Sequence, residues 1–259
     1  MERSAEHYYT QNTYARFLRN YDRAGYLPYI DLFRRFVKPA EGKVLDIGCG
    51  TGTSTLLLRQ RGFDAIGADV SEKYLPDNLP GFIRVDFLDA REIPDSSYEA
   101  AGCRDVIEHI EDPRRFLAEI IRVVKPGGLI LIQAPNLTSP VLAARVVVDN
   151  LFGRSTPYLG IDRLSEACWL LLANLWHSLR AKFGTDAFRR RAPKREAGTA
   201  RYDADAVYWS NPAEIRRALE ALGCKICEYQ PQARSLAGRI VALHAPDFAG
   251  QIFIVVRKK

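Results

Sequence analysis

The chain has 259 residues, enough for one substantial hydrophobic core with an appended subdomain and too few for two large independent domains. Its 47% hydrophobic and 26% charged residues are typical of a soluble globular protein, and no apolar run reaches the roughly 18 residues that span a bilayer. Five scattered cysteines do not suggest a disulfide framework, and the polar N-terminal sequence does not resemble a secretory signal, so we expect a cytoplasmic location.

Residues 1–41 are expected to form an N-terminal helical cap. The apolar pattern over residues 29–37 predicts a helix, and this helix should end before Lys38-Pro39 because a residue that precedes proline disfavours α geometry. The residues before this helix are rich in tyrosine.

A glycine-rich turn follows the first predicted strand, residues 44–47. Gly48, Gly50 and Gly52 stand at alternate positions, so the backbone can bend sharply and approach a ligand without a Cβ in the way. The turn leaves N–H groups free at the start of a helix predicted over residues 53–61. Asp46 precedes the turn, and a carboxylate there attracts a cationic amino group but repels a pyrophosphate. The pattern therefore favours a zwitterionic nucleoside over a dinucleotide.

Strands and helices alternate from residue 43 to residue 136, which predicts parallel strands joined by crossover helices. Further strands are predicted over residues 65–69, 82–85, 98–103 and 129–134, and a helix over residues 114–124. Asp69 ends the second strand, roughly 20 residues after the glycines, where α/β units hold ribose hydroxyls. After an interruption, Asn211-Pro212 predicts the start of a helix over residues 213–222, and strands over residues 225–229 and 251–256 complete the sheet.

The alternation stops between residues 137 and 209, and we interpret this segment as an insert on the substrate side of the sheet. An amphipathic helix is predicted over residues 164–183, with Trp169 and Trp176 on its apolar side, and a basic loop follows it. The whole positive excess of +6 lies between residues 139 and 201. Two interpretations stay open, a cap helix with one buried side and a peripheral membrane contact through residues 164–195. No nucleic-acid partner is expected, because the basic residues are not interleaved with aromatics in a recognisable module.

Four features stand in a characteristic order: Asp-x-Gly-x-Gly-x-Gly at 46–52, Asp69, the pair Asp86-Phe87, and Pro126-Gly127-Gly128. Over residues 40–136 the chain resembles the class I S-adenosylmethionine-dependent methyltransferases, of the small-molecule type similar to the ubiquinone-biosynthesis enzymes. The resemblance implies an α/β fold with a Rossmann-like, doubly wound, mostly parallel seven-stranded sheet in residues 42–259, with the helical and loop insert after strand five. It implies S-adenosyl-L-methionine as the cofactor. In such relatives aromatic N-terminal helices often cover the cofactor, so residues 1–41 have two interpretations, a mobile lid and plain core packing.

The resemblance also assigns roles along the carboxyl edge of the sheet. The backbone of the glycine turn would hold the methionine moiety, Asp69 the ribose hydroxyls, and Asp86 the adenine amino group, with Phe87 packed on the adenine ring. The candidate cofactor-binding residues are Asp46, Gly48, Cys49, Gly50, Gly52, Asp69, Val70, Asp86, Phe87 and Cys103.

The sequence Asp-Val-Ile-Glu-His at 105–109 follows strand four and faces the expected acceptor. His109 is the candidate catalytic residue, because an imidazole can remove a proton near neutral pH. A structural role for it stays open, since Glu-His recurs here in methyltransferases with unlike substrates. In the ubiquinone-biosynthetic O-methyltransferases a longer carboxylate three residues before this pair joins it to bind a divalent ion. Asp105 shortens that reach, so no metal is expected.

These features predict a methyltransferase that acts on an oxygen, or less favourably a nitrogen or carbon, of a small-molecule or lipid-like acceptor. The alternative is a non-catalytic protein that binds S-adenosylmethionine or S-adenosylhomocysteine and docks a partner on the insert. A nicotinamide-dependent oxidoreductase is disfavoured by Asp46 and by the Gly-x-Gly-x-Gly spacing. The oligomeric state is left open.

Overall fold

The computed structural model describes residues 23–72, 75, 79, 81–153, 159–184, 188–193, 203–229, 239–240 and 244–259. One seven-stranded sheet with the order β3-β2-β1-β4-β5-β7-β6 organises them, and β7 is its antiparallel strand. The strands are β1 (Lys43–Ile47), β2 (Asp64–Asp69), β3 (Phe82–Arg84), β4 (Tyr98–Arg104), β5 (Val124–Pro135), β6 (Cys224–Tyr229) and β7 (Gln251–Lys258). The predicted α/β fold with a mostly parallel, Rossmann-like seven-stranded sheet is confirmed.

Six α-helices accompany the strands among the described residues: α1 (Leu27–Phe36), α2 (Thr53–Arg59), α3 (Pro113–Val123), α4 (Pro140–Leu151), α5 (Leu164–Lys182) and α6 (Pro212–Ala221). Sequence signals account for two of their starts. The side chain of Asn211 accepts from the backbone N–H of Ala213 at 2.9 Å, with proline next in the chain, so the predicted start of α6 is confirmed. Asp112 caps α3 in the same way, through the N–H of Arg115.

Helix α1 packs directly on the sheet. Its residues Tyr29, Ile30 and Phe33 are buried in one hydrophobic cluster with Val44 of β1. Gly102 of β4 makes this close approach achievable, since a Cβ there would lie 2.6 Å from the hydroxyl of Tyr29. The helix predicted over residues 29–37 is therefore confirmed, with core packing. Residues 1–22 lie outside the described residues, and the lid interpretation stays a prediction for them.

The opposite face of the sheet holds a second cluster, in which α3 and α6 pack against the strands. Phe116, Leu117 and Ile120 from α3 meet Ile215 and Leu219 from α6 there. The positions i, i+1 and i+4 of α3 form one apolar stripe, as expected for a helix that covers a sheet. The site lies between these two clusters, at the carboxyl ends of the parallel strands.

The insert contains two packed helices, α4 and α5, of which the sequence analysis predicted only the second. Ser139 caps α4 by accepting from the N–H of Leu142 at 3.1 Å, and Pro140 is its first residue. A serine followed by proline is a helix-start signal, so the beginning of α4 could have been predicted from the sequence, although it was not. A small cluster of its own, which includes Leu137, Val146 and Leu170, holds the insert together.

The orientation of α5 differs from the expectation of a cap helix with a buried apolar side. Trp169, Leu172, Trp176 and Leu179 are all exposed, whereas Asn174 and Ser178 are buried. The expected amphipathic helix exists, but its apolar stripe faces outward. Among the residues that the structure describes, no helix combines the length and apolar character that crossing a membrane requires. The cytoplasmic location stays a prediction.

Candidate functional site

The glycine turn lies between the ends of β1 and β2. The N–H groups of Gly48 and Cys49 both donate to the carbonyl of Ala68, at 2.7 and 3.2 Å, which ties the turn to β2. Gly48, Gly50 and Gly52 have φ values of +68°, +52° and +73°, in the left-handed region that favours glycine. A Cβ on Gly48 would lie 2.2 Å from Cγ2 of Val106, so the turn also packs closely against the loop after β4.

Asp46 lies behind this turn and does not open onto the crevice. Its carboxylate accepts hydrogen bonds from the hydroxyls of Tyr29 at 2.9 Å, Ser54 at 2.6 Å and Thr55 at 2.7 Å. The residue is 1% exposed, and burial raises its pKa, while the three hydroxyls act in the opposite direction. Three hydroxyl donors occupy the Asp46 carboxylate, and its predicted attraction of a cofactor amino group stays a prediction. The geometry gives the residue a positioning role, joining α1 and α2 to the glycine turn.

Asp69 ends β2 next to the glycine turn, and its predicted contact with the ribose stays a prediction. One carboxylate oxygen accepts from the N–H of Gly50 at 2.8 Å and the other from the N–H of Ser71 at 3.1 Å. Burial raises the pKa of this carboxyl, and the backbone donors lower it. Val70, next in the chain, is exposed beside it. The structure therefore brings Asp69, Val70 and the glycine turn together.

The other predicted cofactor-binding residues lie in two kinds of environment, because Asp86 is exposed and the remaining side chains are buried. Asp86 is exposed and accepts from the N–H of Leu88 at 2.9 Å. The ring of Phe87 is 5% exposed and packs edge-to-face on Phe116, so it lies in the core and is not free to cover a base. Cys49 and Cys103 are buried, and burial raises the pKa of both thiols. Their side chains contribute packing, and only the backbone of Cys49 faces the turn.

His109 belongs to a short 3-10 turn, Ile107–His109, that follows β4. Its Nδ1 lies 3.3 Å from Oδ2 of Asp205, and its Nε2 lies 3.7 Å from Oε1 of Glu108. The backbone carbonyl of Glu108 accepts from the N–H of Val207 at 2.9 Å, which holds the end of the insert against this turn. The candidate base thus has a carboxyl group on each side of its ring.

Glu108 has the most unusual environment in the described part of the chain. Its side chain is fully buried, and neither carboxyl oxygen has a hydrogen-bond partner among the described residues. Burial raises its pKa well above the usual range, and the carboxylates of Asp105 and Asp203 raise it further. Ionising a buried acid that lacks hydrogen-bond donors is costly, which accounts for the direction of this shift.

The acidic cluster around His109 also has the composition of a cation site. Ligand atoms of Glu108, His109 and Asp203 all lie within 4.8 Å of one another. Asp105 is not one of the three, and its carboxylate pairs with Arg104 at 3.0 Å. The geometry agrees with the expectation that Asp105 does not take the place of the longer carboxylate. Whether this protein uses a metal stays a prediction, and the expected answer is that it does not.

Two residues near His109 were missed by the sequence analysis. Asp203 and Asp205 come from the end of the insert, just before Tyr208-Trp209. The two aspartates stand two residues apart shortly before an aromatic pair, which is only a weak signal of a site. Sequence spacing alone does not show that this segment lies next to the end of β4. Tyr29, the donor to Asp46, was predicted only to belong to the helix over residues 29–37.

Three comparisons with known proteins agree with this geometry. A family model described as "Methyltransferase domain" matches residues 17–229. A demethylmenaquinone methyltransferase from Clavibacter sepedonicus is 39% identical over 106 residues, which cover 38% of this chain and 43% of that protein. A ubiquinone biosynthesis O-methyltransferase from Dechloromonas aromatica (strain RCB) is 27% identical over 161 residues, covering 56% of this chain and 69% of that protein. The chain thus spans less than half of the length of the first relative and about two thirds of the length of the second.

Solved structures show the same fold. An S-adenosylmethionine-dependent methyltransferase from Mesorhizobium loti aligns with a TM-score of 0.56 at 17% identity, over 90% of this chain and 97% of that one. A Burkholderia thailandensis 1,6-didemethyltoxoflavin-N1-methyltransferase, solved with its acceptor and S-adenosylhomocysteine, aligns with a TM-score of 0.50 at 13% identity, over 92% of this chain and 80% of that one. The chain belongs to the methyltransferase-domain family.

Proposed function

We propose that this enzyme transfers the methyl group to an oxygen of a small-molecule or lipid-like acceptor, and that His109 removes the hydroxyl proton. The observation that carries the proposal is the position of His109 at the carboxyl end of β4, between Glu108 and Asp205. Nitrogen or carbon acceptors are the less favoured alternatives. The name of one relative, a ubiquinone biosynthesis O-methyltransferase, makes phenolic hydroxyls the first acceptors to test.

The cofactor fits the crevice that the residues form. Left-handed glycines leave the turn without side chains on the crevice side, and Asp69, Val70 and Asp86 reach the rim. The backbone of Gly50 and Gly52 would hold the amino-acid part, while Asp69 and Asp86 would hold the sugar and the base. S-adenosyl-L-methionine supplies an activated methyl group on a sulfonium, so the protein needs no nucleophile of its own.

The protein's remaining tasks are orientation and proton removal. His109 would take the proton from an acceptor hydroxyl held beside its ring, and bound S-adenosyl-L-methionine would supply the methyl group. The carboxylate of Asp205, 3.3 Å from Nδ1, stabilises the imidazolium that forms. A protonated Glu108 adds no second negative charge beside the acceptor.

A turnover experiment separates binding from proton removal. With labelled cofactor and a panel of phenols and catechols, we expect His109→Ala to lower kcat about 100-fold or more while calorimetry shows unchanged cofactor affinity. Asp205→Asn should lower kcat less and shift the pH–rate profile. His244→Ala is the matched control, because that histidine is exposed and its ring contacts the nearby carbonyl of Ile240. Wild-type turnover that survives loss of the imidazole would refute the assigned role.

The predicted independence of metal ions has its own test. After dialysis against EDTA, the enzyme should keep its rate, and added Mg²⁺ or Zn²⁺ should not raise it. A rate that is lost on chelation and restored by one of these ions would instead make Glu108, His109 and Asp203 metal ligands.

A further inference from the structure

Helix α5 attaches to the protein through Ala167 and Leu170 in the cluster of the insert and through two polar side chains. The side-chain amide of Asn174 donates to the carbonyls of Leu137 at 3.0 Å and Ser139 at 3.1 Å. The hydroxyl of Ser178 donates to the carbonyl of Thr138 at 2.8 Å. Both side chains are buried, so the inner side of α5 is partly polar. This arrangement reverses the usual amphipathic helix, which buries its apolar stripe.

The outer side of α5 carries an apolar face whose members are three or four residues apart and therefore share one side of the helix. We define this apolar face by its exposed side chains and their exposed fractions: Trp169 66%, Leu172 68%, Trp176 59%, Leu179 46% and Phe183 77%. Single exposed apolar residues are ordinary, but a row of five large ones marks an interaction surface. Helix α4, which packs against α5, adds Leu151 and Phe152 at its end, both more than half exposed.

Basic residues accompany the apolar face. The guanidinium of Arg180 lies 5.9 Å from the ring centre of Trp176, and Arg163 stands at the start of the helix. Arg145 of α4 has an exposed side chain as well, which pairs with Asp149 at 3.6 Å. The first turn of α5 contains a single acidic residue, Glu166. Tryptophans beside arginines suit the headgroup region of a bilayer with anionic lipids, where rings have an apolar and a wet side.

We propose that the apolar face of α5 is a membrane-docking surface, which lies in the headgroup layer of an anionic phospholipid bilayer without crossing it. Charge complementarity favours a bilayer over a second copy of this chain, which would bring the same arginines together. The proposal does not depend on catalysis, because it concerns a surface outside the cofactor crevice.

The surface is also connected to the acceptor side of the site. The segment after α5 pairs with the end of the insert, where the N–H of Trp209 donates to the carbonyl of Arg189 at 2.8 Å. The side chain of Arg191 donates to the carbonyl of Asp203 at 2.9 Å. A docked enzyme would thus keep the residues around His109 close to the bilayer. From this position we infer that the acceptor is amphiphilic, an inference that rests on the proposed function.

The test is co-sedimentation of the full chain with vesicles of phosphatidylcholine alone and of phosphatidylcholine mixed with phosphatidylglycerol. We expect binding to the mixed vesicles, weakened by salt, and a blue shift of tryptophan fluorescence. Trp169→Ser with Trp176→Ser should lower the partition coefficient at least about tenfold. Leu27→Ser with Leu222→Ser is the matched control, because those leucines are exposed elsewhere. Calorimetry with the cofactor verifies that each variant is folded.

Two results would overturn the proposal. One is a wild-type protein that stays in the supernatant with anionic vesicles. The other is light scattering that shows a dimer which the double tryptophan variant converts to a monomer, because a second copy would then cover the face. In either case unchanged cofactor binding and turnover would leave the proposed function standing.

Discussion

Two buried carboxyl groups near the site have opposite surroundings. Asp46 receives three hydroxyl hydrogen bonds, which offset much of the free-energy cost of its burial. Glu108 has none among the described residues, although it is buried as completely. Natural proteins retain such unsatisfied groups mainly where function requires them, so Glu108 is a stronger functional indicator than the better-known carboxylate before the glycine turn.

The raised pKa of Glu108 predicts a specific pH dependence of stability. In the range between its unfolded and folded pKa values the native state holds a proton that the unfolded state has lost, so the free energy of unfolding falls as pH rises through that range. Glu108→Gln should remove this loss, so the variant should become more stable than the wild type as pH rises through that range, with little difference at pH values below it.

Urea unfolding at several pH values measures this effect. The control is Glu72→Gln, because the Glu72 side chain is mostly exposed and should leave the pH profile unchanged. A Glu108→Gln curve parallel to that of the wild type would show that Glu108 is ionised in the native state.

At the scale of elements, the glycine turn offers a comparison between two alanine substitutions. Gly48 and Gly127 both have left-handed φ values, +68° and +79°, so alanine strains the backbone at each by about 1 kcal/mol. Only at Gly48 would the new methyl group meet a neighbour, Val106, while nothing lies within 4 Å at Gly127. Gly48→Ala should cost clearly more stability than Gly127→Ala and should weaken cofactor binding at least about tenfold. Thermal unfolding and calorimetry measure both effects, and equal losses for the two variants would contradict the described packing.

Local sequence patterns predicted the elements that local interactions determine. The apolar run before Gly48, the spacing to Asp69 and the cap at Asn211-Pro212 all depend on neighbours in the chain, and the structure has strands and helices there. The outward direction of Trp169 was not predictable from periodicity, because it depends on hydrogen bonds from α5 to the backbone of residues 137–139. The contact between Asp205 and His109 was not predictable either, because these residues are far apart in the sequence.

Over the whole molecule the hydrophobic clusters are unequal. The two clusters on the faces of the sheet contain large side chains such as Phe33 and Phe116, whereas the cluster of the insert includes three alanines, Ala143, Ala167 and Ala206. Less apolar area is buried there, so the insert should open at a lower free energy than the sheet. Native-state hydrogen exchange should show amides of α4 and α5 exchanging before those of β4 and β5. Equal protection of both regions would show that insert and sheet unfold as one unit.

The position of β7 has a consequence for synthesis on the ribosome. Among the described strands, β6 pairs only with β7, and β7 also pairs with the edge of β5. Until residues 251–258 emerge from the exit tunnel, one nascent strand has no partner and another presents an open edge. Closure of the sheet therefore waits for residues 251–258, and a stop codon before residue 251 should yield insoluble product even though every residue around the glycine turn is present.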